Sequence, residues 1–213
     1  MREGGTVAST TAKSQFQPAL RWRLCVASVV AIACFALDRA TKLAVQMSLD
    51  PVPFVGSRFE MPLIPGFLGL SYVENTGAAF SMGEGFGGAF VLLALVVTVG
   101  AFAYLLRAEA VSKLEVVGLA LVVGGAIGNA VDRAVFGYVV DFIATEFIDF
   151  PVFNVADIGI TCGVVIAFIG FLVSPANRVD ATAELNRRDE ADRARRAKAR
   201  GDRARAWRER NGR

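Results

Sequence analysis

Four long apolar runs constrain this chain more than any other feature of its sequence. They cover about residues 22–37, 85–106, 116–131 and 155–173. A helix needs roughly 20 residues to cross the hydrocarbon core of a bilayer, so the second and fourth runs are long enough and the other two need flanking residues. The chain has 213 residues, 54% of them hydrophobic, which is too apolar for an ordinary soluble domain. The sequence therefore predicts a membrane all-α fold with four transmembrane helices.

The segments between these runs suggest a small amount of strand. Residues 50–80 are rich in Pro, Gly, Phe and Val without a helical period, which predicts turns and short strands lying on the membrane. Residues 138–143 are a second strand candidate. We divide the chain into an N-terminal arm (1–21), a four-helix membrane domain (22–173) and a flexible basic tail (174–213).

The charge pattern predicts an orientation. If the N-terminus is cytoplasmic, the outer segments 38–84 and 132–157 carry four basic and ten acidic residues. Because Lys and Arg in short loops favour the cytoplasmic side, both termini are expected inside. The tail from residue 177 has 13 basic and 7 acidic residues and no apolar face. It is expected to be a solvated helix, with weak attraction to anionic lipid head groups or ribosomal RNA as the alternative.

The amino-acid composition excludes several catalytic mechanisms. The sequence has no histidine, which excludes Ser-His-Asp and Cys-His nucleophiles and the His-Glu-x-x-His zinc proteases. The three cysteines lie in apolar runs without paired spacing and are expected to be packing residues. No metal or organic cofactor is implied.

Two polar clusters mark the ends of adjacent apolar runs, and each contains an aspartate. The first is residues 128–133 with Asp132, and the second is residues 153–157 with Asp157. A carboxylate at a bilayer boundary is costly unless paired, so two at one depth suggest a dyad that shares a proton and activates water. The helix dipoles favour a proton on Asp132 and a charge on Asp157. The competing interpretation is structural: a packing face ending in an Asp-Arg pair, and a helix cap by Asn154.

Other polar residues have both structural and functional interpretations. Asn75 and Gly77 belong to a tight turn that could hold a peptide backbone. Asp38 and Lys42 form an i,i+4 ion pair expected to close the first helix. Two rival functions remain at this point: a Ser/Lys hydrolase using Ser81 and Lys42, and a small transporter whose acids relay protons.

Four motifs resemble, in order and spacing, the bacterial lipoprotein signal peptidases (signal peptidase II). They are Asp38-Arg39-Ala40-Thr41-Lys42, residues 75–80 (NTGAAF), residues 124–133 (GGAIGNAVDR) and Phe153-Asn154-Val155-Ala156-Asp157. Residues 139–143 (VVDFI) look like the family's segment between the last two motifs. The resemblance implies four transmembrane helices with a small exoplasmic β-like cradle and an aspartic dyad of Asp132 and Asp157. By position, the polar support of that dyad is Asn75, Asn129, Arg133, Asn154, Asp38 and Lys42.

The resemblance also implies a substrate and a location. The substrate class is prolipoproteins that already carry diacylglycerol on a cysteine, cut just before that cysteine. We expect a multi-pass monomer in the bacterial plasma membrane, in contact with membrane lipids and without a nucleic-acid partner, with its active site toward the exoplasmic face.

Overall fold

The computed structural model describes residues 18–51, 61–77, 86–108, 111–173 and 175–212. Its elements in chain order are α1 (Leu20–Ser48), β1 (Met61–Ile64), β2 (Leu68–Asn75), α2 (Gly87–Arg107), α3 (Lys113–Val135), β3 (Val139–Thr145), α4 (Val155–Val173) and α5 (Pro175–Asn211). Ser81 and most of the N-terminal arm lie outside the described residues.

The four helices α1 to α4 are long and apolar enough to cross a membrane, which confirms the predicted fold class. Two of them run further than the apolar runs indicate. Helix α1 continues to Ser48, so the expectation that Asp38 and Lys42 close it is wrong. Both side chains are buried and ion-paired, which lets the helix continue past them. Helix α3 continues to Val135, so Asp132 lies in its last turn.

Helix α3 occupies the centre of the bundle, where it contacts α1 and α2. Its glycines allow this, as the sequence predicts: a Cβ on Gly124 would lie 2.6 Å from the Ala31 carbonyl oxygen of α1. A Cβ on Gly125 would collide with the Ala156 carbonyl oxygen of α4. A capping box starts α3, because Ser112 Oγ accepts from the Glu115 N–H and Glu115 Oε1 accepts from the Ser112 N–H.

The three strands form one antiparallel sheet in the order β1-β2-β3, which agrees with the predicted strand segments. Val73 pairs with Asp141, and Asn75 pairs with Val139. A buried apolar cluster of Val45, Tyr72, Val140 and Phe142 joins the end of α1 to the sheet.

A short turn connects α3 to β3. Gly137 has a φ of +83°, a conformation that residues with a Cβ rarely adopt. Its N–H donates to the Arg133 carbonyl, and the Phe136 N–H donates to the Asp132 carbonyl. The turn directs the chain from the end of α3 straight into β3.

The chain forms two compact units. Residues 17–172 form one, which holds α1 to α4 and the sheet. The other contains α5, a helix of 37 residues.

Candidate active site

A cavity of about 530 Å³ opens where α3, β3 and α4 meet. Its walls combine a polar group with an apolar group of side chains. The polar lining is Asn75, Asn129, Arg133, Asp141, Asp157 and Thr161, and the apolar lining includes Val139, Phe150, Val152, Phe153, Ile158 and Ile160. A mainly apolar cavity with a few converging polar groups is the usual form of a ligand or active site.

Asp141 lies on β3 and is only 2% exposed. Asn75 Nδ2 donates to its Oδ2 at 2.8 Å, and Asn154 Nδ2 donates to its Oδ1 at 2.6 Å. Burial and the nearby charge of Asp157 raise the pKa of Asp141 to about 7, against the lowering effect of the two amide donors. A carboxyl with such a pKa exchanges its proton near neutral pH, which suits acid-base chemistry.

Asp157 lies in the first turn of α4, where the positive end of the helix dipole favours a charged carboxylate. The predicted cap is present: Asn154 Oδ1 accepts from the Asp157 N–H at 2.9 Å, and Asp157 Oδ2 accepts from the Asn154 N–H at 3.1 Å. Asn129 Nδ2 also donates to Asp157 Oδ1 at 2.8 Å. The Asp157 side chain therefore both caps α4 and lines the cavity.

Asn129 and Asn154 connect Asp141 to Asp157 through hydrogen bonds. Asn154 Nδ2 lies within hydrogen-bond distance of Asn129 Oδ1 as well as of Asp141. Lys42 Nζ donates to the same Asn129 oxygen at 2.8 Å. Because both donors hold the oxygen of the Asn129 amide, its NH₂ group is directed toward Asp157.

Asp132 lies outside the cavity lining, in an ion cluster between α3 and α1. It is fully buried, 2.8 Å from Lys42 Nζ and 2.6 Å from Arg39 Nη1. Lys42 also contacts Asp38 at 3.0 Å, so its three N–H donors meet three acceptors: Asp38, Asp132 and Asn129. The cluster fixes α1 against α3 and leaves Lys42 without a donor for another partner.

Arg133 points from α3 toward the loop that follows β2. Its Nη2 donates to the Gly77 carbonyl at 2.6 Å, and its guanidinium lies 4.8 Å from the centre of the Phe90 ring. The Gly77 N–H donates to Asn75 Oδ1 at 2.9 Å. Arg133 and Gly77 thereby hold the Asn75 amide that contacts Asp141.

The structure brings the predicted site residues together in two groups. Asn75, Asn129, Arg133 and Asp157 line the cavity, and Gly77 and Asn154 support them from behind. Asp38, Lys42 and Asp132 form the ion cluster. Asp141 is the residue that sequence reasoning missed as a site residue. The sequence does contain an indication of its role, because an acidic side chain in the apolar strand VVDFI needs a partner if that strand is buried.

The fold and the cavity define a multi-pass membrane protein with a carboxylate-lined site at one end of its helix bundle. A family model described as signal peptidase (SPase) II matches residues 30–173. The chain belongs to this signal peptidase II family and is a protease.

Similar proteins cover the same region. A lipoprotein signal peptidase of Synechocystis is 39% identical over 152 residues, which are 71% of this chain and 91% of that protein. One from Shouchella clausii is 39% identical over 158 residues, 74% of this chain and 99% of its own length. A solved bacterial membrane enzyme, determined by the in meso method at 2.3 Å, is similar with a TM-score of 0.62 and 28% identity. The match covers 72% of this chain and 92% of that one.

Proposed function

We propose that this protein is an aspartic endopeptidase that removes signal peptides from diacylglyceryl-modified prolipoproteins, cutting just before the lipidated cysteine. The curated relatives are named lipoprotein signal peptidases, which supports this substrate class. A signal peptide is an apolar helix, and a substrate with diacyl chains stays in the bilayer, so its scissile bond reaches an interfacial cavity without leaving the membrane.

We propose Asp141 and Asp157 as the catalytic dyad. The observation that carries this assignment is that both carboxyls line one cavity and that the charge of Asp157 helps to raise the pKa of Asp141. The pairing of Asp132 with Asp157 stays a prediction from the sequence. It is less favoured because both Asp132 oxygens face the cations of the ion cluster.

The two carboxyls divide the work of acid and base. Asp157, held by the helix dipole and by the Asn129 and Asn154 donors, is the base that takes a proton from the attacking water. Asp141 carries the shared proton and gives it to the oxygen of the scissile carbonyl. The tetrahedral intermediate then collapses, the C–N bond breaks, and the amine leaves with a proton from the dyad.

Residues 22–173 form the proposed peptidase domain, with residues 1–21 and 174–213 as additional segments. We further propose that both termini are cytoplasmic and that the cavity faces the exoplasmic side. The four basic against ten acidic residues of the outer segments support this orientation.

The test compares Asp141→Asn, Asp157→Asn and Asp132→Asn in purified protein with a synthetic diacylated prolipoprotein. Loss of either dyad carboxyl should lower cleavage per folded molecule by about a thousandfold. Asp132→Asn should mainly lower Tm, because it leaves buried cations without their partner. If Asp141→Asn cleaves near the wild-type rate and folded Asp132→Asn does not, the dyad is Asp132 and Asp157.

A further inference from the structure

The tail helix α5 concentrates positive charge in one exposed stretch, residues 193–203, which we call the basic segment. It carries six basic residues and one acidic residue, a net charge of six minus one, or +5. All of these side chains are exposed: Arg193, Arg195, Arg196, Lys198, Arg200, Arg203 and Asp202. The other positions are Ala and Gly, so the segment has no apolar face to bury against protein.

The composition of the basic segment suits phosphate groups. Five of the six cations are arginines, whose planar guanidinium groups bind phosphate oxygens in pairs. Trp207 follows one turn after Arg203 and is 64% exposed. An exposed tryptophan beside cations is typical of segments at a membrane–water interface, where the ring lies at the level of the head groups.

The position of the basic segment along the chain favours lipid over nucleic acid. Helix α4, a candidate membrane span, ends at Val173, and the segment begins 20 residues later. At 1.5 Å per helical residue this separation is about 30 Å, and so short a tether gives the bilayer surface a high effective concentration at the segment. Proteins that bind single-stranded nucleic acid interleave aromatic residues for base stacking, whereas Trp207 is the only aromatic residue of the tail sequence.

We propose that the basic segment binds anionic lipid head groups of the bilayer that holds the four helices, with Trp207 at the interface. Such an interaction adds a second, electrostatic attachment to the membrane. It is weakened by salt, because the Debye length falls from about 10 Å at 0.1 M to about 3 Å at 1 M.

The experiment uses the full chain in lipid nanodiscs. Trp22→Phe leaves Trp207 as the fluorescent reporter, since the sequence has two tryptophans. The nanodiscs contain phosphatidylcholine alone or with an equal part of phosphatidylglycerol, each with the same small fraction of brominated phosphatidylcholine. In the anionic nanodiscs we expect a blue-shifted Trp207 emission and about tenfold stronger bromine quenching, both reversed by 1 M salt.

Two variants distinguish charge from general effects of mutation. Replacing the six basic residues of the basic segment by Gln should abolish the difference in Trp207 quenching between the two nanodisc compositions. The matched control, Asp189→Asn with Asp192→Asn and Asp202→Asn, changes the same helix and should keep or strengthen it. Equal quenching in both lipids, or full quenching after the Gln replacements, would overturn the proposal. A blue shift of the Trp207 emission caused by polyuridylate but not by phosphatidylglycerol would show that the segment is an RNA-binding element instead.

Discussion

At the scale of single residues, the buried carboxyl of Asp141 determines how the site responds to pH. Its pKa in the folded protein is about 7, so the proposed dyad holds a proton below that value and loses it above. Cleavage should therefore fall as pH rises through about 7, because no proton remains for the carbonyl oxygen. The measurement is kcat/KM against pH with the diacylated substrate. A rate that stays constant up to pH of about 9 would contradict a role for this proton.

The raised pKa of Asp141 also changes how the stability of the protein depends on pH. A carboxyl whose pKa is raised on folding binds its proton more tightly in the folded state, so the stability of the protein falls as pH rises from about 4 to about 7. In Asp141→Asn this contribution is absent, which gives an independent check on the assigned pKa. The Tm of the variant should fall less than the wild-type Tm over that range.

The Asn75 amide offers a second test at this scale. Its hydrogen bond to Asp141 favours the charged carboxylate and so lowers the pKa of that group. In Asn75→Ala the pKa of Asp141 should rise, and the alkaline limb of the cleavage profile should move to higher pH by up to about one unit. Thr98→Ala, a polar substitution in α2, should leave the profile unchanged. A lower rate with an unmoved limb would mean that Asn75 acts on the substrate alone.

At the scale of helices, the close approach of α3 and α4 sets the position of Asp157. A Cβ on Gly125 would collide with the Ala156 carbonyl oxygen, beside the aspartate, and would lie 2.8 Å from Ile160. Gly125→Ala should therefore push the start of α4 away from Asn129. We expect a loss of about 2 kcal/mol in stability and at least a tenfold loss in cleavage per folded molecule.

Gly100→Ala is the matched control for that substitution. Gly100 also lies inside a membrane helix, α2, but among the described residues no atom outside the backbone of its own helix lies within 4 Å of the position of a Cβ. Alanine there should leave Tm and cleavage unchanged or raise Tm slightly. Equal effects of the two substitutions would show that helix propensity, and not the contact with α4, controls the result.

The elements also explain what the sequence could and could not predict. The four spans follow from the apolar runs, because hydropathy depends on composition alone. The end of α1 does not, since burying Lys42 inside this helix requires partners on another element, Asp132 and Asn129, in addition to Asp38 on α1 itself. The sequence places Asp132 and Asp157 at adjacent helix ends and at a similar depth in the membrane. It does not show the direction in which each side chain points, and the Asp132 carboxylate faces α1. Asp141 meets Asn75 because the register of β2 on β3 brings them to neighbouring positions, where their side chains form a hydrogen bond between residues 66 positions apart.

At the scale of the whole molecule, the orientation in the membrane is open to direct measurement. In a variant with Cys25, Cys34 and Cys162 replaced by Ala, single cysteines are introduced at Asp149 and Ala194, both exposed. A membrane-impermeant thiol reagent added to intact cells should label position 149 and not 194. Labelling both positions after the cells are permeabilised is the control. Labelling of position 194 alone in intact cells would invert the proposed topology.

The ion cluster around Lys42 also bears on how the chain is assembled in the membrane during synthesis. Helix α1 is synthesised before α3, and its three members of the ion cluster, Asp38, Arg39 and Lys42, sum to +1 even with the pairing of Lys42 to Asp38. Only when α3 arrives does Asp132 bring the sum to zero. An unbalanced charge near a bilayer is unfavourable, so the docking of α3 relieves a penalty that α1 carries until then. The charge balance thus favours the docking of α3 on α1, the pairing that places Lys42 beside Asn129 and Asp132.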